Sequence, residues 1–580
     1  MRKARSRSPW SARRPARASA VVVHMEEPMD IADDGVDIAD EEPASQRVLS
    51  SIELVGLLLE QHILGFRDRL ALHATCHLLS TLVADPAHWC KIVLSPDRKV
   101  YDATMMVRHA MRWVPAGAVH SLTVNSARIA LDLPSTACRL VELDISKTVI
   151  VGAVLLRAAF EKSGPTLRRL NVSGVCVHGY STLSDVVHDS HSGQSVVPDL
   201  FAPLRLLEVL IAYDTEPTAT IVNGRPTNIP AQHSMIGYAL AHCPCLTTLA
   251  TGYESEFKPT LDGPQAATQF SDPVWCRVGL LRFPTIPAST SLTSLSLRGY
   301  IPLVVTDLAL ILSAAPPIKS LDLCGCQSLR PENGGMIEAL VSIAPTLTYL
   351  NVRGTGFDDN CAAALAAANA KITRLNASCT DLTGAGLTAL ANASPGLQVL
   401  DLCYAMGCAR DVAAVRAAVT RHSPGLQMIG MGGFNTLSMA DLLPILEGNC
   451  GTLTHIGIGG CSNLVTDAAL SLIATTCPSL TALSAHKLEY ASIAALRGLL
   501  RRCPALASLD IHGMTFTVNE GGRTASQIDG VVLSELVAQD PLMAQFVATE
   551  QWKALGSARV GEHLGEAPQV IRCGERSVVL

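Results

Sequence analysis

The chain has 580 residues, of which 48% are hydrophobic and 4% aromatic, and its 45 basic and 51 acidic residues leave a net charge of −6. A charge this small for the length argues against a dominant nucleic-acid-binding surface. No uninterrupted apolar run reaches the roughly 18 residues that suggest a transmembrane helix, so no membrane contact is predicted.

Residues 1–47 are predicted to be disordered, because they combine high charge with few large apolar side chains. A basic block, MRKARSRSPWSARRPARASA, is followed by an acidic one, MEEPMDIADDGVDIADEEP. The basic block overlaps in composition with an organelle transit peptide; the alternatives are a disordered tail or an upstream start with Met25 as the true first residue. Without a secretory signal pattern, the 18 cysteines are expected to be reduced, in the cytoplasm or nucleus.

Residues 48–95 are predicted to form a helical module of two or three short helices, with apolar residues at a spacing of three to four. Ile63 and Leu64 fall in the first helix, Leu70 and Cys76 fall in the second, and ADPAHW closes the segment. This pattern resembles an F-box. The resemblance implies binding to a Skp-type adaptor through Leu54, Leu58, Ile63, Leu64, Leu70, Cys76 and Trp89. The alternative is a plain N-terminal cap that covers the apolar end of the following repeats.

Residues 96–516 are predicted to form a repeat array. The pattern L-x-x-L-x-L, with Ile, Val, Met or Ala in place of some of its leucines, recurs nine times from Leu292 to Leu506, at successive offsets of 26, 29, 25, 25, 29, 27, 27 and 26 residues. Looser copies precede these, and the wider gaps between them indicate insertions near 174–203, 213–233 and 253–289, which are expected to be surface loops. Residues 517–580 are predicted to form a C-terminal cap and a tail.

Each repeat has a strand half and a helix half. Apolar residues alternate with period 2 in LTHIGI, which begins at Leu453, and recur at helical spacing in TDAALSLIATTC. Thr466 or Asp467 is expected to cap that helix, and Pro478 to follow its end. A strand–turn–helix unit of this length is the leucine-rich-repeat period. Parallel strands stack at about 4.8 Å and helices at about 10 Å, which predicts an α/β solenoid bent into a horseshoe with the sheet inside.

The stretch 450–480 resembles the cysteine-containing subclass of leucine-rich repeats, found in ribonuclease-inhibitor-like horseshoes. Its match includes Cys450, Cys461 and Cys477, which alternate with Gly, Ser or Ala in other coils and are therefore predicted to be small buried residues. The glycines are expected to lie in repeat turns. A phosphate-binding loop, an H-E-x-x-H motif and paired cysteines at zinc-finger spacing are all missing from the sequence, so no enzyme activity, cofactor or metal is predicted.

Side chains that flank the buried strand residues are expected to face the concave side of the sheet, as a period of two requires. Large groups are expected to be exposed there at Arg298, Tyr349, Arg353 and Arg374. Arg and Tyr often anchor interfaces, which predicts that this patch binds an acidic or phosphorylated partner segment. The complete predicted substrate-binding set is Arg298, Tyr349, Arg353, Arg374, Asp401, His455 and His486. The alternative is an ordinary solvated polar face.

An F-box directly before repeats of this subclass is a recurring arrangement in that family. The resemblance implies a non-catalytic substrate-recognition subunit of a Skp–cullin–F-box ubiquitin ligase. Its partners would be a Skp-type adaptor, the cullin scaffold and an unidentified protein substrate, with no nucleic acid and no membrane. Two alternatives stay open: a leucine-rich-repeat scaffold or inhibitor without a ligase, and a GTPase-activating repeat protein.

Overall fold

The chain divides into two compact units, Met1–Leu57 and Leu58–Leu580, and every residue that the structure describes belongs to the second. In the computed structural model the described residues are 91–94, 118–124, 128–129, 131, 139–151, 153–177, 200–213, 221–222, 225–226, 239–240, 242–252, 291–300, 303–314, 318–330, 335–486, 488, 491–510, 516–518 and 523–525. The predicted disordered tail, the F-box-like module as far as residue 90, and all of its predicted adaptor contacts lie outside them.

One sheet of 15 parallel strands runs through the described chain, and its strands follow one another in sequence order. They are β1 (Lys91–Leu94), β2 (Ser121–Val124), β3 (Glu142–Asp144), β4 (Arg169–Asn171), β5 (Val209–Tyr213), β6 (Thr248–Gly252), β7 (Ser294–Ser296), β8 (Ser320–Asp322), β9 (Tyr349–Asn351), β10 (Arg374–Asn376), β11 (Val399–Asp401), β12 (Met428–Gly430), β13 (His455–Gly457), β14 (Ala482–Ser484) and β15 (Ser508–Asp510). Central residues such as Leu295, Leu321 and Leu350 pair in line across the coils and are buried. The predicted α/β solenoid is confirmed, with the strand–turn–helix order of leucine-rich repeats.

Helices alternate with these strands along the chain. Those described are α1 (Ala153–Ser163), α2 (Val305–Ala314), α3 (Gly335–Ile343), α4 (Asp359–Ala367), α5 (Gly384–Ala393), α6 (Met406–Arg410), α7 (Val412–His422), α8 (Met439–Glu447), α9 (Thr466–Thr476) and α10 (Ile493–Arg502). Successive helices pack against one another, as α4 does against α5. Side-chain oxygens of Asp358, Thr383 and Ser438 accept first-turn N–H groups, which explains where α4, α5 and α8 begin.

The predicted cap of α9 is wrong. The N-cap position belongs to Val465, whose side chain makes no hydrogen bond, and Thr466 and Asp467 lie inside the helix. The Asp467 carboxylate instead accepts a 2.7 Å hydrogen bond from the backbone N–H of Ser492 in the next coil. It therefore connects two coils rather than closing its own helix. The predicted end of the helix, ahead of Pro478, is confirmed.

Buried cysteines fill the turns between coils. Cys326 and Cys461 are fully buried. The Cys326 thiol donates to the Leu297 carbonyl of the preceding coil at 3.0 Å, and the Cys461 thiol makes the equivalent bond to the Met431 carbonyl at 3.2 Å. These bonds satisfy a polar group inside an apolar layer. Cys450 differs because it is exposed, so the prediction of a buried thiol is wrong there.

The main sheet begins slightly earlier than the predicted array. β1 pairs with β2, so the sheet starts at Lys91, ahead of the predicted boundary at residue 96. Residues Ile221–Val222 and Arg225–Pro226 form an antiparallel pair inside the predicted insertion at 213–233. Two small sheets accompany the array, built respectively from Arg128–Ile129, Val149–Ile150 and Cys176–Val177, and from Ala491–Ser492, Phe516–Val518 and Arg523–Ala525. Among the described helices, none is long and apolar enough to cross a membrane.

Candidate binding face of the sheet

The side chains that each strand turns away from the buried core form what we call the open face. From β7 to β15 the strands pair in register, so these side chains stand in three rows. The first row begins the strands, with Ser294, Ser320, Tyr349, Arg374, Val399, Met428, His455, Ala482 and Ser508. The second row ends them, with Ser296, Asp322, Asn351, Asn376, Asp401, Gly430, Gly457, Ser484 and Asp510. The third row lies two residues further on, with Arg298, Cys324, Arg353, Ser378, Cys403, Gly432, Gly459 and His486.

The residues predicted for substrate binding all occupy these rows. They are Tyr349, Arg374 and His455 in the first row, Asp401 in the second, and Arg298, Arg353 and His486 in the third. The four residues expected to be exposed, Arg298, Tyr349, Arg353 and Arg374, are half-buried. His455 and His486 are also half-buried, and Asp401 is buried. Neighbouring strands lie only about 4.8 Å apart, so side chains in one coil cover those in the next. Their role in binding stays a prediction.

Second-row Asp and Asn side chains close the turn that follows their strands. The Oδ1 atom of Asp322 accepts the N–H of Cys324 at 2.9 Å, and Asp401 accepts that of Cys403 at 3.1 Å. Short carboxylate and amide side chains favour such turns, because they reach a backbone N–H two residues on. Asp401 is only 4% exposed, and this bond occupies its carboxylate. Little of Asp401 is left for the predicted substrate contact.

Asp322 is the electrostatic centre of the arginine-rich part of the open face. Burial raises its pKa, whereas the Cys324 N–H, the Asn351 amide and the positive charges of Arg298 and Arg353 act in the opposite direction. Those two arginines are therefore already engaged with a carboxylate of the chain itself. Their charge is partly compensated before any partner binds.

Arg374 has a different environment. Its guanidinium carbon lies 5.3 Å from the ring centroid of Tyr349, which is its neighbour in the first row. This is a cation–π contact, and it holds the guanidinium against the sheet. Burial raises the pKa of Tyr349, so its hydroxyl stays protonated. The Arg374 Nε–H is buried and has no hydrogen-bond partner.

Asn376 stands beside Arg374 in the second row and is completely buried. Its Oδ1 accepts the backbone N–H of Ser378 at 3.0 Å and the Ser378 hydroxyl at 2.7 Å. Two donors on one oxygen fix which end of the amide is which. The Nδ2 group has no hydrogen-bond partner. Arg374 and Asn376, two positions apart on β10, therefore both have an unsatisfied donor.

At β12 and β13 the second and third rows carry glycines instead of side chains. We call Gly430, Gly432, Gly457 and Gly459 the glycine floor. A Cβ on Gly430 would lie 2.4 Å from Asp401 Oδ1, and one on Gly459 would lie 2.2 Å from the His486 ring. Gly430 and Gly459 are therefore required because neighbouring side chains lie over them. Their prediction as turn residues is wrong for Gly430 and Gly457, which end strands, and is confirmed for Gly432 and Gly459, which lie in the turns that follow.

Tyr404 and His486 are the aromatic residues that meet over this floor. Tyr404 adopts a φ of 59° just after β11, and its ring lies against Gly433 and Gly460. Its hydroxyl is 3.5 Å from His486 Nε2. The sequence analysis did not single out Tyr404. The feature that could have indicated it is the set of recurring glycines in MIGMGG and HIGIGG, which leave space beside them for a large side chain.

His486 and His455 are held differently. His486 Nδ1 lies 2.9 Å from the Ser484 hydroxyl and 3.4 Å from Asp510 Oδ2, so two neighbouring groups hold this nitrogen. His455 Nδ1 lies 2.8 Å from the Thr454 hydroxyl, and burial lowers its pKa. His455 is therefore neutral at neutral pH. Within the described parts of the chain, no three His, Cys, Asp or Glu side chains are grouped as metal ligands.

No protein-family model matches the chain, and no curated protein matches it. Among similar solved structures, an internalin, InlF, from Listeria monocytogenes is 13% identical over 78% of this chain and 89% of that chain, with a TM-score of 0.29. The complex of Rad7 and Elc1 from yeast is 14% identical over 83% and 96%, with a TM-score of 0.39. The leucine-rich-repeat protein LegL7 from Legionella pneumophila is 12% identical over 46% and 91%, with a TM-score of 0.27. Likenesses this low carry no argument about partners or activity.

Proposed function

We propose that this protein is a non-catalytic substrate-recognition subunit of a Skp–cullin–F-box ubiquitin ligase, acting in the cytoplasm or nucleus. The proposal joins two parts of the chain. Residues 52–89 resemble an F-box, whose apolar side chains would bury against a Skp-type adaptor. The repeat array follows directly and offers the open face to a protein substrate.

The protein would act by proximity. The adaptor and the cullin scaffold would hold the array close to a ubiquitin-charged enzyme, and the array would hold the substrate. Bringing two reactants together in this way replaces a bimolecular encounter by an effectively intramolecular one. The chain itself would need no catalytic residue.

The open face carries the binding half of the proposal. Arg298, Arg353 and Arg374 lie within a few coils of one another, with Tyr349 among them. Arg and Tyr supply much of the binding energy where they are half-buried and rigid. The cation–π contact between Arg374 and Tyr349 gives one of these arginines a fixed position before a partner arrives. An acidic or phosphorylated substrate segment fits this chemistry.

Co-purification of the full chain with a Skp-type adaptor tests the ligase half. Wild-type protein is expected to retain the adaptor, and Leu58→Asp combined with Leu64→Asp is expected to lose it, because a buried apolar contact cannot accept an unpaired charge. Leu310→Asp combined with Leu443→Asp is the matched control, since these leucines are 47% and 37% exposed in the repeat array. Failure of the wild-type chain to retain any adaptor would overturn the proposal.

The binding half is tested separately by mass spectrometry of proteins bound to the intact chain. Arg353→Glu combined with Arg374→Glu is expected to remove the specific substrate, because reversed charges repel an acidic segment. Unchanged capture by this double variant would count against the arginine-rich face as the substrate site.

A second candidate function is a leucine-rich-repeat scaffold or inhibitor without a ligase. The described array favours it, since the open face is complete without the F-box-like module. Capture of a specific partner by the open face, together with no adaptor binding, would select this second function.

A further inference from the structure

Arg374 is the one member of the arginine-rich group whose charge the described part of the chain leaves without a counter-charge. Arg298 and Arg353 both act on Asp322. The Arg374 side chain forms no ion pair or hydrogen bond with any described residue, and its contact is with the Tyr349 ring. A half-buried guanidinium has lost part of its water and gained no acceptor in return. The positive charge of Arg374 is therefore not balanced until an anion binds beside it.

Asn376 supplies an independent second observation. It is completely buried, its Oδ1 is held by two donors from Ser378, and its Nδ2 has no partner. Residues 374 and 376 lie on one strand and, being two positions apart, on the same face. A buried donor without an acceptor is rare in a folded protein and calls for a specific explanation.

Charge distinguishes between two possible ligands. Arg298, Arg353 and Arg374 contribute three positive charges, and Asp322 and Asp401 contribute two negative ones, so one positive charge is left over. A single carboxylate balances it. A phosphate, with a charge near −2 at neutral pH, would overcompensate it beside the carboxylates of the second row. The planar guanidinium matches either ligand through two parallel N–H···O bonds, so charge and not shape separates them.

We propose that Arg374 and Asn376 form an anchor for one Glu or Asp carboxylate in an acidic segment of the partner protein. The anchor rests on the proposed function, because the open face is the site where that partner binds. The carboxylate accepts from the Arg374 guanidinium at the Tyr349 ring, and the unsatisfied Nδ2 of Asn376, two positions along the same strand, is the additional donor. The same charge balance makes a phosphorylated residue the poorer ligand.

Fluorescence anisotropy with three labelled peptides of equal length tests the anchor on the purified full chain. The probes alternate glycine with glutamate, with glutamine, or with phosphoserine. The glutamate peptide is expected to bind about ten- to a hundredfold more tightly than the glutamine peptide, the usual gain for a hydrogen bond to a charged group. The phosphoserine peptide is expected to bind no more tightly than the glutamate peptide.

Variants separate the anchor from general attraction between charges. Arg374→Gln is expected to remove the preference for glutamate, and Arg374→Lys to retain only part of it, because lysine keeps the charge without the planar fork. Lys371→Gln is the matched control: Lys371 is exposed in the same coil and donates to the Ala393 carbonyl at 3.0 Å. This control is expected to keep the full preference. Unchanged far-ultraviolet circular dichroism establishes that each variant is folded.

The anchor is overturned if wild-type protein binds the glutamate and glutamine peptides equally or binds neither. It is also overturned if the preference survives Arg374→Gln, or if phosphoserine binds more tightly than glutamate. The proposed function has a separate readout, because adaptor co-purification depends on residues 52–89. Peptide results that contradict the anchor while the adaptor and a specific substrate are retained would refute the anchor alone.

Discussion

Replacing Gly459 by alanine tests whether His486 is held over the glycine floor. The added Cβ would lie 2.2 Å from both Cε1 and Nδ1 of the imidazole, so the ring must move away. Moving it breaks the contacts of Nδ1 with the Ser484 hydroxyl at 2.9 Å and with Asp510 at 3.4 Å. A hydrogen bond contributes about 1 kcal/mol, and the longer, partly exposed contact with Asp510 contributes less than that. The expected loss in the free energy of unfolding is therefore about 1–2 kcal/mol.

Urea unfolding followed by circular dichroism measures this loss. Gly451→Ala is the matched control, since no atom lies within 4 Å of its added Cβ, and it is expected to change stability by less than about 0.5 kcal/mol. In a double-mutant cycle, Gly459→Ala is expected to cost almost nothing in a His486→Ala background, because the obstructing ring is gone. Equal costs in the two backgrounds would refute the reasoning that the imidazole is what the glycine accommodates.

Two further predictions concern buried titratable groups. Cys461 and Cys477 in the native chain are expected to resist a thiol reagent at about pH 8, because burial raises their pKa to about 11 and about 12 and attack requires the thiolate. The exposed Cys450 is expected to react quickly; peptide mass spectrometry would contradict this if Cys461 were labelled equally fast before unfolding. Asp307 is 4% exposed, and burial raises its pKa from 3.8 to about 6. The folded state then binds more protons than the unfolded state between those values, so stability is lost as pH rises through about 6. Asp307→Asn is expected to unfold at higher urea concentration than wild type at about pH 7 but not at about pH 4, and an equal difference at both pH values would contradict the assignment.

The repeat array could be predicted from the sequence because every coil repeats the same pattern of apolar residues. An apolar residue at the centre of every strand must be buried, and a period of two then places its neighbours on the opposite face. Leu321, Leu350 and Leu375 thereby imply the strands, their register and the rows of the open face together. The predicted row positions of Tyr349 and Arg374 follow from this same rule.

The same rule did not predict which neighbouring residues the open-face side chains contact. Arg374 contacts Tyr349, which lies 25 positions earlier in the chain. Arg353 acts on Asp322, which lies in the preceding coil and in a different row. Each long side chain has several neighbours within reach in adjacent coils, and packing decides among them. The repeat pattern fixes where Arg374 begins on the sheet, whereas its rotamer determines that Tyr349 and not a carboxylate is its contact.

The opposite case is the glycine floor, where a missing side chain was the informative feature. Gly433 and Gly460 have positive φ, and glycine suits such turn positions because it adopts this backbone conformation without steric cost. Gly430 and Gly459 have no such conformation, and they lie at open-face positions that carry side chains in other coils. Glycine at such an open-face position indicates that a neighbouring side chain occupies the space where its own side chain would lie. Successive open-face glycines in a repeat therefore indicate a large side chain from a neighbouring coil, which here includes the His486 ring over Gly459.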